Sequence, residues 1–451
     1  MQVSIISENS YPVNRGGVSE WCSSLISGLP DICFNVFTIA PDKKLRYDIP
    51  ENLVGVDVTE LSRPCFMETQ SHTRETVKIM ELLKPVLKGM PLDCLKMLKL
   101  MENTEFTAEE LISSKENLRL LEAFYQQNYE GNPFVPFYYS WISLFYLLFK
   151  TLELYNRLPK AGVIHALNSG YAGLLGSLAK VREGNPLVVS EHGLYLKERR
   201  FELRHSEVEP WLHGLYIAFF TGLVKTSYKY SDVVTSVCRD HVSHQKSIDP
   251  SIEPKVIYNG IDVNRFGFNN HVNDHGCYVV GTISRVTPIK DQLTFIRSAP
   301  QILEKHDTKF YVVGQIEDQE YFDECNQLIR KLNLEDSFKF TGFQDSAEWY
   351  PRFDVFVLSS LSEGFPLTLL EAMSSGVPCV STDVGGVGEV LRKEFLVPRW
   401  DPKSLAAKVS WLLEDEAKRE LVRHYGRKLV EKRFSVDAMA SEYRDIYEGL
   451  V

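Results

Sequence analysis

None of the eight cysteines (22, 33, 65, 94, 238, 277, 325 and 379) forms a C-x-x-C pair, and no histidine cluster accompanies them. That disfavours a zinc site and a dense disulfide scaffold, and reads as thiols kept reduced in a cytosol. Positive charge is also in deficit: 50 Lys and Arg against 60 Asp and Glu leave −10 at neutral pH. A nucleic-acid-binding role would need a basic face, although net charge does not forbid a local basic pocket. The start, Met1–Ser7, has no basic leader and is too short for a signal core, so it reads as a first strand of a cytoplasmic chain. No apolar run reaches the roughly 20 residues of a membrane-spanning helix. The nearest, Phe134–Phe149, is sixteen residues without charge, with eight aromatics. It reads first as a buried helix; the alternative is an aromatic-rich face at a membrane or partner surface. Internal repeats and low-complexity tracts are missing too.

What is present fills two domains. A chain of 451 residues exceeds one ordinary core, and 44% hydrophobic with 24% charged residues describes a globular protein. Short apolar runs at Val3–Ser7, Phe34–Ile39, Val163–Ala166 and Leu187–Ser190 alternate with helical stretches. The second half repeats this at Tyr278–Ile283, Lys309–Val313, Phe338–Thr341, Val355–Leu358 and Pro378–Ser381. That is the grammar of parallel α/β sheets, with functional loops at the carboxyl ends of the strands. From about residue 57 to 150 the rhythm is lost. Lys78–Leu87, Leu95–Leu100 and Glu109–Tyr125 have leucines at helical spacing, which predicts a helical insertion. The polar, turn-rich Gly267–Gly276 is the natural hinge. The expected division is 1–266 and 267–433, with a C-terminal helix over 434–451.

The chemistry concentrates in Ser362-Glu363-Gly364-Phe365-Pro366-Leu367-Thr368-Leu369-Leu370-Glu371-Ala372-Met373. Pro366 suits the first turn of a helix. Glu363 then stands just ahead of that helix, and Glu371 about one turn inside. Amides of Gly364, Phe365 and the following residues would face an anion, favoured by the helix dipole. Such a loop suits a ligand that is both sugar and phosphate. Two glutamates at helix starts are common, so the string gains weight only from its surroundings.

Those surroundings resemble the family-four retaining glycosyltransferases of the GT-B fold. Glu-Gly-Phe-Pro-x4-Glu at 363–371 is similar to their donor-site signature. Gly281-Thr282-Ile283-Ser284-Arg285-Val286-Thr287-Pro288-Ile289-Lys290-Asp291 is similar to their diphosphate-gripping loop, and Asn259-Gly260-Ile261-Asp262 to their turn before the hinge. Tyr11–Trp21, containing Arg15, Gly16 and Gly17, and Ser190-Glu191-His192-Gly193-Leu194-Tyr195 resemble a subgroup that includes the Pel exopolysaccharide glycosyltransferase. The resemblance implies two Rossmann-like domains facing a central cleft, the final helix returning to the first domain, and a cleft that closes by rotation at the hinge.

The resemblance implies roles residue by residue. Arg285 and Lys290 would hold the diphosphate, one as a planar fork and the other as a point charge; alone they read equally as a solvated loop pair. Glu371 would bind the ribose hydroxyls and Glu363 the transferred sugar, with Gly364, Phe365, Pro366 and Leu367 completing the donor loop. His192 would contact the donor sugar near the reacting centre, and Gly16 and Gly17 would let backbone approach the donor. Arg15, Glu191 and Arg199 are candidates for acceptor or phosphate contacts. No cofactor is expected and no metal, since no Asp-x-Asp motif follows a strand. The activity implied is hexose transfer from a nucleoside diphosphate sugar, UDP-glucose first, to a glycan or lipid-linked acceptor. The setting would be cytoplasmic or at the inner face of a membrane, in a polysaccharide synthesis complex. The rivals are an epimerase of the same fold and a catalytically silent subunit of a polysaccharide assembly.

Overall fold

The structure is a computed structural model that describes residues 1–60, 74–102, 106–158, 160–269 and 276–451. The chain divides into two compact units. The first comprises Met1–Ser236, Val242–Val256 and Tyr443–Val451; the second comprises Val237–His241 and Ile257–Glu442. The division at Val256/Ile257 precedes the expected 266/267 because Ile261 and Phe266 belong to the second core. The last helix, Val436–Leu450, is shared between the units, and only Tyr443 onward belongs to the first. Of the expected hinge, Asn270–His275 lies outside the described residues.

In the first unit seven strands form one sheet: β1 (Gln2–Glu8), β2 (Cys33–Ala40), β3 (Leu53–Glu60), β4 (Val163–Ala166), β5 (Leu187–Glu191), β6 (Val233–Ser236) and β7 (Lys255–Val256). Their order is β3-β2-β1-β4-β5-β6-β7, and every neighbouring pair is parallel. The second unit has β8 (Tyr278–Ile283), β9 (Thr308–Val313), β10 (Phe338–Gly342), β11 (Val355–Leu358), β12 (Cys379–Thr382) and β13 (Leu396–Val397). These run β10-β9-β8-β11-β12-β13, again all parallel. Both sheets are Rossmann-like and reverse direction once, between β1 and β4 and between β8 and β11. Ligands of such sheets bind at the carboxyl ends beside the reversal.

The helical insertion starts later than residue 57, because β3 continues to Glu60. As the edge strand it buries fully only Leu53 and Thr59, so its apolar signal is weak. The predicted helix Glu109–Tyr125 is two helices, Ala108–Ser113 and Lys115–Asn128. Ser114 breaks it: extended at ψ 147, it ends one helix and caps the next by accepting from the Asn117 amide at 3.1 Å. The aromatic run forms the helix Phe134–Glu153, with Phe137, Trp141, Phe145 and Phe149 buried at four-residue spacing. Trp141 stacks on Phe145 at 4.1 Å and donates its indole N–H to Asn117 at 3.0 Å. That is the buried reading; Phe134, Val135 and Tyr139 alone among its large apolar residues are well exposed. Among the described residues no helix is long and apolar enough to cross a membrane.

A buried polar chain runs through the first unit. His165 on β4 lies between the Tyr447 hydroxyl and the Ser190 hydroxyl, each at 2.7 Å. Ser190 accepts from Thr235 at 2.7 Å and meets Tyr443 at 3.1 Å. Burial holds the His165 imidazole down at about 3. A depressed histidine binds its proton more readily in the unfolded chain, so its stabilising contribution is full above pH about 6.5 and drains away toward 3. Melting temperature is therefore expected to fall as pH drops below 6.5. His165→Asn, which cannot charge, should start lower and show a shallower decline; equal slopes in both proteins would refute the assignment.

Candidate functional site

In the second unit, the loop after β8 and the segment after β11 meet beside the sheet reversal. Pro288–Lys290 makes one tight turn. Asp291 then takes φ +46 and caps the following helix, accepting from Thr294 N at 3.2 Å and Thr294 Oγ1 at 2.6 Å. Two hydrogen bonds tie this turn to the β11 segment: Leu361 N to the Ile289 carbonyl at 2.8 Å and Ser359 Oγ to the Lys290 carbonyl at 3.0 Å. Lys290 Nζ thereby reaches Glu363 Oε1 at 2.7 Å, with side chains only 20% and 10% exposed. Arg285 differs. It is 62% exposed, and its Nη1 donates to both Glu317 oxygens at 2.7 Å. An ion pair that open is worth about 0–1 kcal/mol, so the guanidinium is easily recruited by a stronger anion.

Glu371 lies within the helix Leu367–Ser374, among buried Leu369, Leu370, Ala372 and Met373. Its Oε2 accepts from the Tyr350 hydroxyl at 2.8 Å. Tyr350 is wholly buried, and its pKa is pushed far up by burial and then by the adjacent carboxylate. Pro366 stands at the N-cap rather than in the first turn; Leu367 is the first helical residue. Phe365 packs its ring inward. Its ring is 5% exposed, between Tyr258 at 5.1 Å and Phe434 at 5.4 Å, so this residue can offer a ligand little beyond backbone.

The glycine pair after β12 supports this loop. Gly386 N donates to the Gly364 carbonyl at 2.9 Å. Gly385 has φ +51, and a Cβ there would sit 1.9 Å from the Glu363 carbonyl oxygen. Gly385→Ala should cost about 1–3 kcal/mol in backbone strain alone, and more from the overlap. It should also displace Glu363. Thermal unfolding and a UDP-sugar titration check this, and a variant matching wild type in both would be a refutation.

In the first unit, a cavity of about 260 Å³ opens at the carboxyl ends of β1 and β4. Arg15, Gly16, Gly17, His192 and Arg199 all line it. A Cβ on Gly16 or Gly17 would meet nothing within 4 Å, so both border open space. The His192 ring lies 4.1 Å from buried Trp21. Arg199 lies over the Tyr195 ring at 4.9 Å and donates to Glu202 at 2.7 Å. Glu191 does not join them. It ends β5 with its side chain 2% exposed, hydrogen-bonded to Ser169 and, at 3.4 Å, to Gln245. Burial pushes its carboxyl up to about 7. The expected contact of Glu191 with acceptor or phosphate is thus corrected: the last strand residue points into the core.

Sequence reasoning missed Glu8 and Asn168, which also line the cavity, as does Glu198 beside Arg199. Glu8 accepts from the Ala172 amide at 2.7 Å, and burial raises its pKa. Glu8 ends β1 and Asn168 follows β4, so position at a strand's carboxyl end was the available signal. Missed too was Glu317, for which no motif spoke. A larger cavity of about 630 Å³ in the second unit lies among Tyr278, Asp307 and Pro378, at the amino ends of its strands. It contains none of the candidate residues. Among the described residues no cluster of His, Cys, Asp or Glu is arranged to hold a metal.

Residues 277–415 match the family model described as glycosyl transferases group 1. The chain is 31% identical over 258 residues to the N-acetyl-alpha-D-glucosaminyl L-malate synthase of Bacillus anthracis, covering 52% of this chain and 66% of that protein. It is 30% identical over 202 residues to the capsular polysaccharide biosynthesis glycosyltransferase CapM of Staphylococcus aureus, covering 42% and 52%. The chain thus spans between half and two thirds of these two relatives. A longer alignment, 25% identical over 410 residues, covers 84% of this chain and 98% of the Escherichia coli UDP-Gal:alpha-D-GlcNAc-diphosphoundecaprenol alpha-1,3-galactosyltransferase. Among solved structures, Anabaena Alr3699/HepE in complex with UDP superposes with a TM-score of 0.67 at 18% identity over 100% of both chains, a likeness of fold. Through residues 1–249 the chain belongs to the family described as a domain of unknown function (DUF3492), joined to a glycosyl transferases group 1 domain.

Proposed function

We propose that this protein is a retaining, metal-independent hexosyltransferase. Its donor would be a nucleoside diphosphate sugar, UDP-glucose first, and its acceptor a glycan or lipid-linked glycan of exopolysaccharide synthesis at the cytoplasmic face of a membrane. The observation that carries this reading is the half-buried Lys290–Glu363 pair at the sheet reversal, beside the helix that bears Glu371. In the reaction the bond from the anomeric carbon to the diphosphate breaks, and negative charge gathers on the departing oxygen. Lys290 and Arg285 supply preorganised positive charge, and the amides ahead of Leu367 supply dipoles, which is the largest catalytic term open to such a site. Glu363 takes sugar hydroxyls and Glu371 ribose hydroxyls, the latter fixed in position by Tyr350. The departing phosphate itself removes the acceptor proton, so the new bond forms on the face just vacated.

The likeness to Anabaena HepE, whose structures include one with UDP-glucose, supports the donor. The Escherichia coli relative, named for a diphosphoundecaprenol-linked acceptor, supports the lipid-linked acceptor, and the CapM relative a polysaccharide setting. The resemblance of Tyr11–Trp21 and Ser190–Tyr195 to the Pel subgroup supports exopolysaccharide in particular. The test is UDP release by purified protein from UDP-glucose, UDP-galactose and UDP-N-acetylglucosamine with an extracted lipid-glycan pool. Proton NMR would read the anomeric configuration of the product. No turnover of any donor, or an inverted product, would overturn the proposal.

A further inference from the structure

The connection after β13, Pro398-Arg399-Trp400-Asp401, contains a feature that the donor chemistry leaves unused. Trp400 has φ +58, in the left-handed region that disfavours any residue with a Cβ and is a true outlier for a bulky one. The other non-glycine residues with positive φ among those described are Asn9, Asp291 and Asn333, types that tolerate it by local hydrogen bonding. Glycine would fit this turn without strain. Burial does not repay the cost, because Trp400 is 64% exposed. The backbone beyond it is fixed: Asp401 accepts from Ser404 N at 2.9 Å and Ser404 Oγ at 2.6 Å, starting the helix Pro402–Glu414. The indole is therefore held outward at a cost that its burial does not repay.

Its location is defined. The Arg399 guanidinium lies 5.4 Å from the Trp400 ring centroid, and Arg399 Nη1 donates to the Leu361 carbonyl at 3.4 Å. Leu361 stands two residues before Glu363. On the same side, Asp383 N donates to the Val397 carbonyl at 2.9 Å, and the Gly385–Gly386 turn that follows rests on the Glu363–Gly364 backbone. Arg399 and Trp400 thus form the rim of the loop that presents Glu363, the sugar end of the proposed donor site.

We propose that Trp400 and Arg399 form a platform for a pyranose ring of the acceptor glycan. A hexose has a face of C–H groups that stacks on an indole and an edge of hydroxyls that a guanidinium can bind. A rigid aromatic anchor beside an arginine is the usual make-up of a binding hot spot. Strain stored at a position that burial does not explain is expected where a ligand recovers it. The inference rests on the donor-site reading, which is tested separately in the same experiment.

Calorimetric titrations with cellotriose, maltotriose and chitotriose, each with and without saturating UDP, would use wild type, Trp400→Gly, Trp400→Ala and Trp400→Phe. Wild type should bind one of the trisaccharides; the Gly and Ala variants should bind it about tenfold or more weakly, while the Phe variant stays close to wild type. UDP affinity should be unchanged throughout, and Trp400→Gly should raise the melting temperature by about 2–4 °C by releasing the turn. Equal trisaccharide affinity in Trp400→Gly would overturn the platform. So would a wild type that binds UDP and no trisaccharide. Loss of UDP affinity in the variants would place the nucleobase on the indole instead, which also overturns it. A wild type that binds a trisaccharide through Trp400 but never UDP would leave the platform standing and remove the donor site.

Discussion

Lys290→Ala should lower kcat by roughly two to three orders of magnitude, the scale of losing one preorganised charge donor, with the circular dichroism spectrum unchanged. The structure gives a reason to rank it above Arg285→Ala. Lys290 is only 20% exposed and held by a loop pinned at Ile289 and Lys290, so its charge is already in place when the donor arrives. Both cations are ion-paired, but Arg285 is open to solvent, so part of its gain is spent on ordering its side chain. Arg285→Ala should therefore cost less, about one to two orders. EDTA should leave both wild type and variants as they were. Full activity in Lys290→Ala, or loss of wild-type activity in EDTA, would dismantle the metal-free clamp.

The second large effect separates the two glutamates. Glu371→Gln should weaken free UDP and UDP-sugar alike, by about 10- to 100-fold, the range for a charged hydrogen bond. Tyr350→Phe should weaken UDP in the same direction and less, because it removes a hydroxyl that positions Glu371 and leaves the carboxylate itself in place. Glu363→Gln should impair binding of the sugar donor and leave UDP unchanged or tighter, since it releases Lys290 from its ion pair. These affinities are read by calorimetry. Indistinguishable profiles for the two glutamine variants would end the division of roles.

The legible parts of the fold were those where burial is two-sided. Val163–Ala166, Tyr278–Ile283 and Val355–Leu358 are central strands of apolar or small residues, interrupted only by His165, and the structure repeats those limits. Edge strands speak more faintly: β3 has four half-buried positions in the middle, and β7 and β13 are two residues each. Ser114 looked like one residue of a continuous helix because serine is compatible with both a helix and a cap. At the site, Glu363 and Lys290 were visible as a pattern. Their contact was not, since it depends on two loops separated by 73 positions in sequence. Glu191 shows the opposite limit. Its neighbour His192 faces a cavity, and only the alternation of side chains at the end of β5 decides that the glutamate turns inward.

The buried chain from His165 to Tyr443 and Tyr447 also sets an order of events on the ribosome. Residues up to Val256 cannot finish their core until Tyr443–Val451 have been made, whereas the second unit between them needs nothing later than Glu442. At about 5–20 residues per second, the first unit waits on the order of 10–40 s with His165 and Ser190 lacking their tyrosine partners. The part of the protein translated first is thus the part completed last.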